Sequence, residues 1–114
     1  MGNPVWVIGL HGYQFTGQAP QIELDPAKFS VTLAPSGTVL GKVTATGKYG
    51  KYDPAANDGR QTAAGFLLNS ANLSEDTSGN LFLAGFVQPA YLPVGHGLDA
   101  AARTALRHCV FLDV

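Results

Sequence analysis

Glycine and proline interrupt this chain every few residues, and their spacing limits the length of any regular element. The sequence contains 14 glycines and 7 prolines among its 114 residues. Both residue types weaken helices and interrupt the interior of strands. The segments between them are short and rich in valine, threonine, leucine and aromatic residues, which favour β structure. The pattern therefore predicts one small, mainly β domain.

Six segments have the length and composition of strands. These predicted strands cover residues 5–10, 29–33, 38–46, 61–68, 80–87 and 109–114. In the third, Val39 and Val43 alternate with more polar positions such as Lys42, which predicts one apolar and one more polar face. The polar stretch over residues 69–79 is predicted to be an exposed loop.

The segment "GLDAAARTALRHC" predicts a short C-terminal helix over about residues 98–108, before a final strand. Leu98, Ala102 and Leu106 fall at i, i+4 and i+8, so they share one face of a helix. Asp99 precedes the first turn, where a carboxylate can accept hydrogen bonds from free backbone N–H groups. The predicted fold is thus a barrel-like β domain with one late helix.

Low charge is the main feature of the composition. Charged residues make up 13% of the chain, against about 25% in an average globular domain. A surface with so little charge predicts an apolar area that meets a partner. The net charge of −1 argues against nucleic acid as the principal ligand. A single cysteine excludes an internal disulfide and a zinc cage built from cysteines.

The N-terminal sequence "MGNPVWVIGLHGYQF" indicates neither a signal peptide nor a membrane span. It lacks a basic start, and its apolar run breaks at Gly9 and His11. The run is also much shorter than the roughly 20 apolar residues that span a bilayer. We expect a soluble protein that is made in a cytoplasm and has no contact with membranes.

No residue constellation predicts catalysis, a metal or a cofactor. The three histidines are scattered, and we interpret His96, near Asp99, as a loop residue before the helix cap. Asp53 before Pro54 and the "NDG" at Asp58 are typical of turns. Cys109 enters an apolar strand, which predicts a buried, inert thiol.

One alternative function arises from the stretch over residues 38–68. It contains Lys42, Lys48, Tyr49, Lys51 and Tyr52, whose ammonium groups and rings could track phosphates and stack on bases. The same residues also fit a strand, a turn and a strand with solvated charges. The alternative is a small β-barrel module that binds single-stranded nucleic acid or carbohydrate.

Two blocks of the sequence resemble the phage lambda-like head decoration proteins. They are "GTVLGKVTATGKYGKYDPAANDGRQTAAGFLL" and "YLPVGHGLDAAARTALRHCVFLDV", and the resemblance covers residues 29–114. Some family members carry a polar, flexible arm before this region, whereas this chain has "VWVIGLHGYQF" there. We therefore expect an N-terminal arm at residues 1–28 and a head-decoration β domain at residues 29–114.

The resemblance implies a capsid decoration, or cement, protein without catalysis. Family members are small β proteins, often described as a β-clip, that sit as trimers on the outside of the expanded head. They occupy three-fold and quasi-three-fold sites, tie major capsid subunits together and resist the pressure of packaged DNA. The expected partners are thus the major capsid protein and further copies of this chain. Neither direct nucleic-acid binding nor a membrane is implied, and the expected location is the virion surface.

The first apolar segment is the candidate capsid-binding site. Val5, Trp6, Val7 and Ile8 form a short, β-prone run that could add to the edge of a sheet on the shell. Trp6 is the candidate anchor, because tryptophan is enriched among the residues that dominate binding interfaces. A second role stays open for Trp6, namely closing the core of its own domain.

Overall fold

Short strands separated by glycine- and proline-containing turns build the molecule. The computed structural model describes residues 6–8 and 20–111, in which ten strands form three sheets. The strands are β1 (Val7–Ile8), β2 (Gln21–Glu23), β3 (Leu33–Ala34), β4 (Val39–Lys42), β5 (Tyr49–Lys51), β6 (Ala63–Leu67), β7 (Ala71–Asn72), β8 (Ser78–Phe82), β9 (Gly85–Val87) and β10 (Cys109–Phe111).

The largest sheet has the strand order β2-β8-β6-β4-β5, with antiparallel pairing throughout. Its two outer strands also meet, because Leu24, just after β2, bridges Tyr49 of β5. The backbone N–H of Asp25 donates to the carbonyl oxygen of Tyr49 at 2.8 Å. The sheet therefore curls towards closure, which confirms the predicted mainly β, barrel-like fold.

The central strands of this sheet separate two apolar clusters. Successive side chains of a strand point to opposite faces, so each central strand contributes to both clusters. The first cluster includes Val39 of β4, Phe66 of β6 and Phe82 of β8, and the second includes their neighbours Leu40, Leu67 and Leu81. The predicted single apolar face of β4 is therefore wrong at its start, where both faces are buried. Lys42 is the first residue of β4 that is exposed to solvent.

The smaller sheets cover the two clusters. The three-stranded sheet β1-β9-β10 lies over the first cluster, with β9 antiparallel to β1 and parallel to β10. The two-stranded sheet β3-β7 supplies Ala34 and Ala71 to the second cluster. None of the helices in residues 6–8 and 20–111 is long and apolar enough to cross a membrane.

The helix α1 (Ala100–Ala105) lies where the sequence predicts it. Asp99 is its N-cap and accepts a hydrogen bond from the backbone N–H of Ala102 at 2.8 Å. Ala102 and Leu106 are buried in the first cluster, as their spacing predicts. The helix ends before residue 106 and is shorter than predicted. Burial raises the pKa of Cys109 to about 11, which confirms a buried, neutral thiol in the final strand.

Three strands lie outside the six predicted ones. The polar strand β2 pairs with β8, β5 pairs with β4, and β7 lies inside the predicted exposed loop. Ala71 and Leu73 are buried there, so the loop prediction is wrong at these residues, whereas Glu75 and Asp76 are exposed as expected. The predicted arm over residues 1–28 includes β1 and β2, which both pair with later strands.

Candidate functional site

The candidate anchor Trp6 lies inside the protein's own core. Its side chain is only 1% exposed. Its ring centroid lies 5.1 Å from that of Phe66 and 5.2 Å from that of Phe82, with the Phe82 contact edge to face. Aromatic pairs at such distances add to the stabilisation from burial alone. Trp6 thus fixes the start of β1 to the central strands β6 and β8.

Hydrogen bonds also hold the indole of Trp6, through its ring nitrogen. The indole Nε1–H of Trp6 donates to the hydroxyl oxygen of Ser36 at 3.0 Å, and that hydroxyl donates to the carbonyl oxygen of Leu68 at 2.6 Å. A buried indole N–H without a partner would be costly, so Ser36 makes the burial of Trp6 tolerable. Gly37, with a φ of +97°, allows this close approach, since an added Cβ would lie 3.0 Å from Nε1.

The backbone of β1 has one paired and one open edge. Val7 pairs with Val87 in antiparallel register, and the carbonyl oxygen of Trp6 accepts a hydrogen bond from the N–H of Gln88 at 2.8 Å. Hydrogen-bonded and non-hydrogen-bonded residue pairs alternate along an antiparallel ladder. The N–H and C=O of Val7 therefore point away from β9. Among the described residues no further strand pairs with that edge.

The structure thus gives the four predicted capsid-binding residues different positions. Val5 lies outside the described residues. The side chain of Trp6 belongs to the core, so the second role considered for it is the one observed. Val7 and Ile8 form an edge strand, which leaves a backbone contact with the shell as a prediction. The sequence had no local signal for the aromatic partners of Trp6, which lie 60 and 76 positions further along the chain.

The residues of the alternative nucleic-acid site do not form a shared platform in the described part of the chain. Tyr52 is buried, so its ring cannot stack on a base. Tyr49 is half-buried against the second cluster. The ammonium group of Lys48 lies 3.5 Å from the carboxylate of Glu23. These contacts match a strand, a turn and a strand with solvated charges.

The carboxylates and the histidine considered in the sequence have structural partners. Asp53 accepts a hydrogen bond from the N–H of Ala55 at 2.9 Å, which confirms a turn. The backbone and guanidinium N–H groups of Arg60 hold the pKa of Asp58 below its ordinary value. His96 accepts a hydrogen bond from the N–H of Leu98 at 2.8 Å, as expected of a loop residue before the cap. Residues 6–8 and 20–111 contain no group of three metal-ligating side chains.

Comparison with known proteins assigns the family. A family model described as bacteriophage lambda head decoration protein D matches residues 21–111. The match includes strands β2 to β10 and helix α1, and β1 precedes it. A search of curated proteins gave no match. The chain therefore belongs to the family of bacteriophage lambda head decoration protein D, and its role is that of a structural protein that binds the phage head.

Proposed function

We propose that this protein binds the outside of the expanded phage head as homotrimers, at three-fold and quasi-three-fold sites. Each trimer ties neighbouring major capsid subunits together and stabilises the shell against the pressure of packaged DNA. The family match supports a capsid-binding structural role. The low charge of the chain, 13% of residues, supports a surface made for protein contacts.

The observation that carries the proposal is the open edge of β1. The backbone N–H and C=O of Val7 point outward, and an extended segment of a capsid subunit can add to them as a further strand. Burial of Trp6 fixes this edge relative to the barrel before binding. A fixed edge costs less entropy on association than a free arm would.

Stabilisation of the shell then follows from mass action. A ligand that binds the assembled shell and not its separated subunits adds about 2.7 kcal/mol per site at one hundred times its Kd. Three copies around one axis also bind together, so modest individual contacts give tight attachment. No chemical step is needed for either effect.

Co-sedimentation with expanded, undecorated heads of the cognate phage tests the proposal. We expect saturation near one copy per capsid subunit, and a trimer mass for the bound species after mild crosslinking. Absence of binding by the folded protein would contradict the proposal. Strong, salt-dependent binding of oligonucleotides would instead favour the nucleic-acid alternative.

The β1 contact has its own pair of variants. Val7→Pro removes the outward N–H but leaves the hydrogen bond between Trp6 and Gln88, and edge strands tolerate proline. We expect binding to fall by about tenfold or more, whereas Val7→Ala, which keeps the N–H, binds within about twofold of wild type. Equal binding of both variants, with unchanged Trp6 fluorescence, would show that β1 is not part of the interface.

A further inference from the structure

A cleft lies between the chain segment before and within β3 and the loop at residues 94–95. Its volume is about 290 Å³. The walls are mainly apolar and include Phe29, Val31, Leu33, Pro35 and Val94. This cleft is separate from the open edge of β1, since neither β1 nor its partner β9 contributes to its lining.

The apolar side chains of the cleft are unusually exposed. Val31 is 50% exposed, Leu33 is 62% exposed and Val94 is fully exposed. Val31 and Leu33 lie on the exposed side of the chain, whereas Phe29 packs against the second cluster and Ala34 is buried in it. Contiguous exposed apolar groups of this kind mark surfaces that a partner covers.

The backbone beside the cleft has unused hydrogen-bonding groups. Leu33 and Ala34 pair with β7, and the carbonyl oxygen of Thr32 accepts from the N–H of Leu73 at 2.7 Å. Within the described residues, the peptide groups of Ser30 and Val31 make no hydrogen bond. Free backbone donors and acceptors next to apolar side chains are features of surfaces that bind extended peptides.

One cation lies at the rim of the cleft. Lys51 lines both the cleft and a neighbouring hollow of about 620 Å³ that also contains Lys28 and Arg60. Lys28 and Arg60 both form ion pairs with the carboxylate of Asp58, with nitrogen–oxygen distances of 3.6 Å and 3.0 Å. Lys51 forms no ion pair with any described residue. Among the three cations of this region, Lys51 is thus the one without an ion pair in the described part of the chain.

Lys51 lies close to Gly97 and His96, beside the loop that precedes α1. Its ammonium group lies against Gly97, where an added Cβ would be 3.8 Å from Nζ. Burial, then the charges of Lys51 and Arg103, lower the pKa of the adjacent His96. Asp53 and Asp99 line the same hollow, but Asp99 accepts hydrogen bonds from Tyr52 and from the start of α1.

We propose that this cleft binds a segment of the capsid shell in which apolar side chains flank a carboxylate. The apolar side chains fill the space between Leu33 and Val94, and the backbone of the segment pairs with Ser30 and Val31. The carboxylate forms an ion pair with Lys51. The inference rests on the proposed function and adds a second contact to that of β1.

Charge variants at Lys51 test the ionic part, with binding to expanded heads measured by co-sedimentation. We expect Lys51→Glu to weaken binding by about tenfold or more and Lys51→Arg to stay within about twofold of wild type. The matched control is Lys42→Glu, because Lys42, like Lys51, has no ion pair among the described residues, but it is exposed and lies outside the cleft. Equal weakening by both charge reversals would overturn a specific role for Lys51.

A photoreactive benzophenone side chain in place of Val94 tests the location. Full exposure of Val94 makes this change compatible with the fold. We expect irradiation on heads to attach the chain to a capsid segment that contains aspartate or glutamate between apolar residues. Attachment to another copy of this chain, or no attachment by a variant that binds normally, would overturn the inference.

The two proposals fail in different ways. If the wild-type protein does not bind expanded heads, the proposed function is wrong. If wild type binds and Lys51→Glu binds equally well, only the cleft inference is wrong. If Lys51→Glu lowers the oligomeric mass of the free protein in sedimentation equilibrium, the cleft lies between copies of the chain, which also overturns the inference.

Discussion

The hydroxyl group of Tyr52 donates a hydrogen bond to the carboxylate of Asp99, with 2.9 Å between the donor oxygen and Oδ1. The same Oδ1 accepts a hydrogen bond from the N–H of Ala102 at 2.8 Å and so caps α1. One carboxylate therefore joins the end of β5 to the helix that leads into β10. The ring of Tyr52 also packs in the first cluster, so this hydrogen bond lies at the edge of the core.

Tyr52→Phe removes this hydroxyl while keeping the buried ring. We expect the free energy of unfolding to fall by about 1 kcal/mol, since the lost hydrogen bond has a charged acceptor but lies partly in solvent. Urea denaturation measures the change. Tyr49→Phe is the control, because the Tyr49 hydroxyl has no hydrogen-bond partner among the described residues, and we expect less than about 0.5 kcal/mol. Equal losses in both variants would contradict a specific role of the Tyr52–Asp99 contact.

Trp6→Ala tests whether the residue before β1 belongs to the core. The change empties the space between Phe66 and Phe82, and we expect a loss of about 3–5 kcal/mol in the free energy of unfolding. Thermal unfolding followed by circular dichroism measures it. Leu83→Ala, at an exposed apolar position, should cost less than about 0.5 kcal/mol. A similarly small loss for Trp6→Ala would show that Trp6 is not held in the core in solution.

The expected instability of Trp6→Ala changes how capsid-binding data are interpreted. A variant that has lost most of its stability will bind heads poorly whether or not the indole contacts the shell. Trp6→Ala therefore cannot locate the interface, whereas Val7→Pro removes a backbone N–H at the edge of β1 and leaves Trp6 in place.

Gly59→Ala tests a turn in which glycine is required. Gly59 has a φ of +116°, and an added Cβ would approach the carbonyl oxygen of Lys42 and the hydroxyl of Thr44 too closely. We expect a loss of about 2 kcal/mol or more from backbone strain and this contact. Gly95→Ala is the matched control, with a φ of +78° and no atom within 4 Å of the added Cβ. Its cost should be about 1 kcal/mol, from strain alone.

Local patterns predicted the elements that local interactions determine. The helix follows from the spacing of Leu98, Ala102 and Leu106 and from the capping carboxylate of Asp99, all within nine residues. The turn at Asp53 follows from its proline and from a hydrogen bond two residues away. In each case, the partners lie close enough in sequence for their chemistry to be visible.

Long-range packing determined what the sequence could not predict. Tryptophan is a residue type common among interface anchors. The position of Trp6, however, depends on Phe66 and Phe82, which only the folded sheet brings near it. Strand β2 is short and polar, and it forms a strand because its backbone pairs with that of β8. The sequence predicted a strand over residues 29–33, but only Leu33 of this range lies in one, and both Val31 and Leu33 stay exposed.

His96 couples the loop before α1 to the protonation state of one ring. Its Nδ1 accepts a hydrogen bond from the N–H of Leu98 at 2.8 Å, and its carbonyl oxygen accepts from the N–H of Val39 at 2.9 Å. A proton on Nδ1 would remove the first acceptor. Burial lowers the pKa of His96 in the folded protein, and the nearby charges of Lys51 and Arg103 lower it further.

These contacts predict a loss of stability in mild acid. The pKa of His96 lies below the ordinary value of 6.5 when folded, so the unfolded chain binds the proton first as pH falls. Stability should therefore decline from about pH 6.5 downward until the folded pKa is passed. Urea midpoints at about pH 7.5 and about pH 5.5 measure the decline, and His96→Gln should reduce it. His108→Gln, at an exposed position, should keep it in full. If His96→Gln shows the same decline as wild type, another group is responsible.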